Sequence, residues 1–240
     1  MKIALAFFGI TRSLRYTIQS IQKNILEPLS SHSVDIFMHT YSLKKYKNTI
    51  TKEKAAMYDN SEHKLLHPDH LKIDDQNTLK KRLHLSKYRT HKDPWDTNYN
   101  SVDNFILSQY SKYQLVSMIE KAGHYDYIIF IRPDCLYLDP LKVEFLKKAD
   151  STTIVIPNFH LFGPYKFNDR FAITTSETYK KYGSLFTSLL QISKEQPLHS
   201  ETIMGQYLKD LTIVRKPFRF SRIRIDGEQV DFKKTRRINL

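Results

Sequence analysis

The sequence predicts an α/β domain in which helices flank a central, mostly parallel sheet. Two short segments, Ile3–Phe8 and Tyr125–Ile131, are almost wholly apolar, which indicates strands buried on both faces. Segments with helical spacing of apolar residues lie between them, and alternating strands and helices are typical of parallel sheets. At 240 residues and 40% apolar composition, the chain is long enough for one large domain with its own core.

The first elements run strand, helix, strand. Ile3–Phe8 ends at Gly9, and Val34–His39 predicts the next strand. Between them a helix is predicted, with Thr11 or Ser13 as its N-cap. The apolar residues at helical spacing that predict it are Ile18, Ile21, Ile25 and Leu29.

Residues 42–98 differ from the rest. They are rich in Lys, His, Asn and Asp with weak periodicity, which predicts an insertion with short helices. The elements predicted after it are a helix from Ser101 to Gly123, strands over Tyr125–Ile131 and Thr152–Ile156, helices over Glu177–Ile192 and His199–Leu208, and a hairpin over Ile223–Phe232 that turns at Asp226-Gly227.

Composition narrows the classes of function. Lys and Arg number 38 against 25 Asp and Glu, so the net charge of +13 favours anionic partners such as nucleic acid, phosphorylated small molecules or membrane surfaces. No apolar stretch reaches the roughly 18–20 residues of a membrane span. The single cysteine, Cys135, excludes an intramolecular disulfide and favours a reducing compartment, the cytoplasm.

Three polar clusters follow predicted strands: Gly9–Arg15, His39–Tyr41 and Arg132–Asp134. Ligands of open α/β sheets bind beyond the carboxyl ends of the strands. We therefore expect these clusters to face one site.

The first cluster suits a phosphate. Gly9 permits close approach, the next helix offers unpaired N–H groups, and Arg12 and Arg15 supply cations. The alternative is an ordinary strand–turn–helix with solvated arginines.

The third cluster suits a metal or an ion pair. Asp134, at the end of a buried strand, could hold Mg²⁺ or Mn²⁺, which prefer oxygen ligands and bridge substrate phosphates. Arg132 could neutralise the same phosphates. The alternative is a buried Arg132–Asp134 pair without a ligand.

A resemblance to a known family rests on three motifs in this order: Gly9-Ile10-Thr11-Arg12-Ser13, Asp35 to Tyr41, and Tyr125 to Asp134. Asn168 to Ala172 and His199-Ser200-Glu201 extend it. The pattern resembles a group of small GT-A glycosyltransferases, similar to enzymes encoded by large algal viruses and by bacteria that build surface glycans.

The resemblance implies a single GT-A-like (Rossmann-like) domain over residues 1–240. Residues 1–140, including the insertion, would bind the nucleotide sugar, and residues 141–240 the acceptor. The implied reaction moves a hexosyl or pentosyl group from a nucleotide sugar, UDP-linked, to a hydroxyl of a glycan or glycoprotein acceptor. The implied location is the cytoplasm, that of the host if the protein is viral.

The resemblance also implies roles for individual residues. The nucleotide sugar would contact Gly9, Thr11, Arg12, Arg15, His39, Tyr41, Arg132 and Asp134. Asp134 would hold Mn²⁺ or Mg²⁺, although Arg132 stands where the family's Asp-x-Asp motif has its first aspartate. For His39, the alternative is a core histidine with local hydrogen bonds.

Glu201 is the expected catalytic base, with Asp169 the second choice. The alternative for Glu201 is charge complementarity at a helix N-terminus. The alternatives for Asp169 are binding of the donor sugar or the acceptor, or a surface turn paired with Arg170.

The roles of several further residues have more than one interpretation. Gln109 and Lys112 either face the donor or lie on a solvated helix face, and the solvated face is expected. Arg222 and Arg224 either cover the diphosphate or lie exposed on a strand. Trp95 either stacks on a sugar or anchors a loop.

The competing function is binding or processing of nucleic acid. The net charge, the Lys-rich 42–98 segment and the basic stretch at 233–237 favour it. Regular interleaving of basic and aromatic residues, as in modules that stack bases, is missing from the sequence, so we expect no nucleic-acid partner. A third possibility is an α/β nucleotide-binding enzyme of another class, such as a nucleotidyltransferase. The sequence has no GxxxxGK[ST] phosphate loop, which argues against a P-loop enzyme.

Overall fold

A computed structural model of the chain describes residues 1–48, 53–230 and 236–237. The strands are β1 (Lys2–Phe8), β2 (Ser33–Ser42), β3 (Lys45–Asn48), β4 (Glu53–Met57), β5 (His70–Asp75), β6 (Tyr127–Ile131), β7 (Cys135–Tyr137), β8 (Thr153–Pro157), β9 (Phe171–Thr175), β10 (Thr212–Lys216), β11 (Phe220–Arg222), β12 (Glu228–Gln229) and β13 (Arg236–Arg237). The helices are α1 (Leu14–Ile21), α2 (Gln76–Leu83), α3 (Asn100–Ala122), α4 (Tyr179–Gly183), α5 (Phe186–Glu195) and α6 (Ser200–Tyr207).

The predicted α/β class is confirmed. Seven strands form one sheet in the order β10-β8-β9-β6-β1-β2-β5. Its pairings are parallel except those of β9, which runs antiparallel to β6 and β8. Within the described residues, no helix has the length and apolarity to cross a membrane.

Both faces of the sheet are covered, as the apolar strands predicted. Along β1, Ala4, Ala6 and Phe8 belong to the core beneath α3, whereas Ile3, Leu5 and Phe7 belong to the core beneath α1. Side chains alternate across a strand, so a strand in the middle of a covered sheet is apolar at every position. The site therefore rests on a rigid, fully buried β1–β6 pair.

The first helix begins differently from the prediction. Ser13 occupies the N-cap position of α1, but its hydroxyl donates to the carbonyl of Ile223 at 2.9 Å instead of capping the helix. Thr11 bonds the hydroxyl of Tyr58 at 2.9 Å. Tertiary contacts thus replace the local cap and tie the first turn to distant segments.

The predicted helix over Glu177–Ile192 is divided into α4 and α5. Gly183 ends α4 where it packs against α3 and β6, and a Cβ there would lie 2.4 Å from Val116 Cγ2. The close approach needs glycine. The predicted hairpin forms around Gly227 (φ +84°) as far as residue 230, and residues 231–232 lie outside the described residues.

The segment 42–98 contributes strands as well as the short helices that were expected. β3 and β4 form a hairpin, and β5 pairs in parallel with β2 as an edge strand of the main sheet. Alternate residues of β5 are exposed. Because of the polar side chains of β5, this strand was not recognised in the sequence.

Candidate functional site

A cavity of about 510 Å³ opens at the carboxyl ends of the central strands. Pockets for small molecules typically have volumes of this order. The predicted site residues that line it are Gly9, Arg12, Tyr41, Arg132, Asp169 and Glu201. Residues from both halves of the chain therefore meet at one place.

The turn after β1 and the turn after β6 come into direct contact. The Arg12 Nη2 atom lies 3.0 Å from Asp134 Oδ2, and the Thr17 hydroxyl donates to the Pro133 carbonyl at 2.6 Å. Parallel neighbours end at the same edge of a sheet, which brings the two turns together. The position of the polar clusters directly after predicted strands had predicted that the two turns meet.

Asp134 is held by two arginines beneath the cavity. Arg132 donates from Nε to Oδ1 at 2.8 Å and from Nη2 to Oδ2 at 2.6 Å, in addition to the contact from Arg12. Asp134 is 1% exposed. Burial opposes its ionisation, but the charges of Arg132 and Arg12 outweigh that effect and hold the pKa of Asp134 well below its usual range.

These contacts do not fit the expected Mn²⁺ or Mg²⁺ ion at Asp134. Three hydrogen bonds from guanidinium groups, one to Oδ1 and two to Oδ2, already occupy most of the lone pairs of this carboxylate, and a cation bound there would lie against two positive side chains. Among the described residues, no three His, Cys, Asp or Glu side chains are grouped so that they could hold a metal. The alternative of a buried arginine–aspartate pair describes Asp134 better.

The segment 42–98 supplies two site residues that the sequence analysis missed. Arg12 donates to the Tyr46 hydroxyl and, at 3.3 Å, to Glu53 Oε2. Glu53 also lies 3.5 Å from Arg224 Nη1. Tyr46 and Glu53 belong to no recognisable sequence motif. The arginines that they contact are far away in the chain, so no local pattern marks either residue.

β11 brings two more arginines to the cavity. Arg222 and Arg224 both line it, and the buried Ile223 lies between them. Residues two apart on an extended chain point the same way. We call Arg12, Arg132, Arg222 and Arg224 the arginine cluster.

Asp169 and Glu201 form a second group, the carboxylate pair. Arg170 lies between them, with Nε 4.0 Å from Asp169 Oδ1 and Nη2 3.8 Å from Glu201 Oε1. Burial, then the nearby charge of Asp169, raises the pKa of Glu201. A raised pKa suits a carboxylate that accepts a proton near neutral pH.

His199 and Trp95 flank the carboxylate pair. The rings of Trp95 and His199 are stacked, with centroids 4.9 Å apart. His199 Nδ1 lies 3.8 Å from Glu201 Oε2. Trp95 both lines the cavity and anchors its loop to α6, so the two alternatives for this residue are compatible.

Gln109 and Lys112 are buried, not solvated as expected. The Lys112 ammonium donates to the Asp169 carbonyl at 3.1 Å and to the Tyr182 hydroxyl at 3.2 Å. The rings of Phe8 and Tyr182 also face it, at 4.7 Å and 4.5 Å. Helix α3 is covered on most sides. The polar character of Gln109 and Lys112 therefore did not mean that their side chains are exposed.

Histidine 39 lies behind the cavity and does not line it. His39 Nδ1 is 2.8 Å from the Ser111 hydroxyl, and Nε2 is 3.1 Å from Asp74 Oδ2. The same Ser111 oxygen accepts the backbone N–H of Gly9 at 2.9 Å. His39 thus supports the turn at Gly9 through Ser111. This agrees with the alternative interpretation of His39 as a core histidine with local hydrogen bonds.

Thr11 and Arg15 also point away from the cavity. Thr11 is buried against Tyr58, and Arg15 pairs with Glu62 at 3.2 Å with 36% of its side chain exposed. Tyr41 does line the cavity, and its hydroxyl donates to the Leu107 carbonyl at 2.7 Å.

Comparisons with known proteins give structural likeness only. No protein-family model matches the chain, and no curated protein does. A crystal structure of the galactosyltransferase LgtC with donor and acceptor sugar analogues is 11% identical, covers 89% of this chain and 73% of its own, and has a TM-score of 0.48. An active-site mutant of LgtC is 8% identical, with coverages of 90% and 72% and a TM-score of 0.47.

Proposed function

We propose that the protein is a glycosyltransferase that moves a sugar from a UDP-linked nucleotide sugar to a hydroxyl of a glycan or glycoprotein acceptor. One observation carries the proposal: a single cavity places the arginine cluster beside the carboxylate pair. The resemblance of the sequence motifs to GT-A glycosyltransferases points the same way. The buried Cys135 suits a cytoplasmic enzyme.

The two groups match the two charges that the reaction moves. As the acceptor oxygen bonds the anomeric carbon, the bond from that carbon to the phosphate oxygen breaks, and its electron pair leaves with the nucleoside diphosphate. Guanidinium groups stabilise this growing negative charge. The proton of the acceptor hydroxyl passes to Glu201, whose raised pKa suits that task.

The competing function, nucleic-acid binding, draws on the net charge, the Lys-rich 42–98 segment and the basic stretch at 233–237. At the cavity, the Arg12 and Arg224 side chains are only 4% and 7% exposed. A polynucleotide backbone needs accessible cations along a surface. Recessed arginines suit a small anionic ligand better.

A nucleotide-sugar screen tests the proposal. The purified chain is incubated with UDP- and GDP-sugars, with and without oligosaccharide acceptors, and release of nucleoside diphosphate is measured. We expect release from UDP-sugars and a higher Tm with UDP, because a ligand of the folded state stabilises it. Failure of every nucleotide to raise the Tm, with stabilisation by oligonucleotides that weakens steeply with salt, would favour the competing function.

A further inference from the structure

We infer that the arginine cluster, not a divalent cation, binds the donor's diphosphate and stabilises it as it leaves. The inference rests on the proposed function and specifies the ligand of the same site. It departs from the metal dependence that the resemblance implies.

The first support is the state of Asp134. Its two oxygens accept three hydrogen bonds from Arg12 and Arg132 at 2.6–3.0 Å. A divalent ion bound to these oxygens would lie next to both guanidinium groups, so like charges would repel in a poorly solvated place.

The other carboxylate of the cluster is also engaged. Glu53 Oε1 accepts the backbone N–H of Ile225 at 3.1 Å, and Oε2 lies 3.3 Å from Arg12 and 3.5 Å from Arg224. The two carboxylates therefore position arginines and are not arranged as ligands of a cation.

The charges of the cluster match a diphosphate. Within the described residues, the four guanidinium groups of the cluster outnumber the two carboxylates, Asp134 and Glu53, that lie among them. The diphosphate of a nucleotide sugar carries one negative charge on each phosphate, and the leaving diphosphate gains more. Arginine is suited to phosphate oxygens because its planar fork donates two parallel hydrogen bonds.

Each accessible arginine is held in place. Arg132 binds Asp134 through its Nε and Nη2 edge, which leaves the Nη1 group on the opposite edge of the guanidinium. Arg222 pairs with Cys135 in the β7–β11 ladder, and the next residue, Ile223, donates its N–H to the Asp134 carbonyl at 2.9 Å. The ladder thus fixes the backbone of Arg222 beside that of Cys135, and Asp134 fixes the side chain of Arg132, before any ligand arrives.

Two buried donors in the cluster support the same conclusion. The Nε groups of Arg12 and Arg224 have no hydrogen-bond partner among the described residues. Unpaired buried donors are costly, and an anion in the cavity would reduce that cost.

The test measures binding of two probes, inorganic pyrophosphate and UDP, by isothermal titration calorimetry. Each titration is done in excess EDTA and repeated with MnCl₂. The variants are Arg222→Ala and Arg224→Ala, with Arg219→Ala as the control. Arg219 carries the same charge three residues away, is 63% exposed, and pairs with Asp139 outside the cavity. Thermal unfolding checks that each variant folds. If Arg224→Ala does not fold, the test relies on Arg222→Ala, because Arg222 is only partly buried.

We expect both probes to bind in EDTA with a Kd within about threefold of that in MnCl₂. Each cluster variant should weaken binding about tenfold or more, and Arg219→Ala should not. Binding of pyrophosphate in EDTA with no added affinity for UDP would support the arginine site and contradict the nucleotide donor of the proposed function. Binding of either probe only with Mn²⁺, or of neither probe, would overturn the inference.

Discussion

Two groups of buried carboxylates at the same cavity have opposite environments. In the arginine cluster, Asp134 contacts two guanidinium groups at 2.6–3.0 Å, and its pKa is well below the usual range. In the carboxylate pair, Asp169 and Glu201 share Arg170 at about 4 Å, and the pKa of Glu201 is raised. Burial opposes ionisation in both places, but at Asp134 the charges of Arg132 and Arg12 outweigh it, whereas at Glu201 the charge of Asp169 adds to it. We propose from this difference that Asp134 positions arginines and that Glu201 accepts the proton.

Glu201→Gln should produce the largest change. The amide keeps the shape but cannot accept the acceptor's proton, so transfer should fall by about 10²–10⁴-fold. Affinity for UDP, measured by calorimetry, should stay within about threefold of the wild-type value. Wild-type turnover by this variant would remove Glu201 as the base.

Asp134→Asn should mainly destabilise the fold. Arg12 and Arg132 would lose their shared counter-ion, and breaking a buried pair typically costs about 3–5 kcal/mol. The free energy of unfolding, from urea titration, measures the loss. Asp139→Asn is the matched control, because its partner Arg219 is exposed. Equal losses in the two variants would contradict the structural role of Asp134.

Lys112 should make stability depend on pH. Burial lowers its pKa to about 7, with the charge of Asp169 opposing this effect and that of Arg132 adding to it, whereas an unfolded lysine has a pKa near 10.4. Between these values the unfolded chain binds more protons, so the free energy of unfolding should rise with pH, by at most about 1.4 kcal/mol per pH unit. The Lys112→Met variant should lack this rise. Parallel stability curves for the two proteins from pH 7 to pH 9 would argue against it.

Asp169→Asn should shift the pH profile of transfer. Glu201 is competent when deprotonated, so the rate should rise with pH through a pKa above the usual value of about 4.3. Removing the charge of Asp169 lowers that pKa, and the acidic limb of kcat/KM should move to lower pH. An unmoved limb, measured on the residual activity, would show that the two carboxylates do not interact.

Arg15→Ala should have the smallest effect. Its side chain pairs with Glu62 away from the cavity, so UDP affinity should change by less than about twofold. Arg222→Ala is the comparison, because the same charge is removed from the cavity wall. A tenfold loss for Arg15→Ala would place the diphosphate outside the arginine cluster.

Local patterns predicted the framework well. The unbroken apolar runs of β1 and β6 identified central strands, and the helical stripe ending at Gly123 identified α3. The edge strand β5 was missed because its apolar residues Leu71 and Ile73 are on the exposed face and its polar residues His70, Lys72 and Asp74 are on the half-buried face. A half-buried strand is recognised in a sequence only when its apolar residues are the buried ones.

Side-chain partners were less predictable. Lys112 was expected in solvent and Arg15 at the phosphate, and the structure reverses their exposure. Tyr46 and Glu53 lie in a segment without clear periodicity, yet both contact Arg12. Their importance depends on a hairpin that packs over the first turn.

The sequence by itself determined the central strands β1 and β6, the helix α3 and the edge of the sheet at which polar turns collect. All of these follow from periodicities within a few residues of each chain segment. Only the tertiary structure decided what Asp134 does, since Arg12 is 122 residues away in the chain and Glu53, which shares Arg12, belongs to another segment again. Electrostatic free energy depends on distances in space, and these are fixed only when the sheet has brought the turns together.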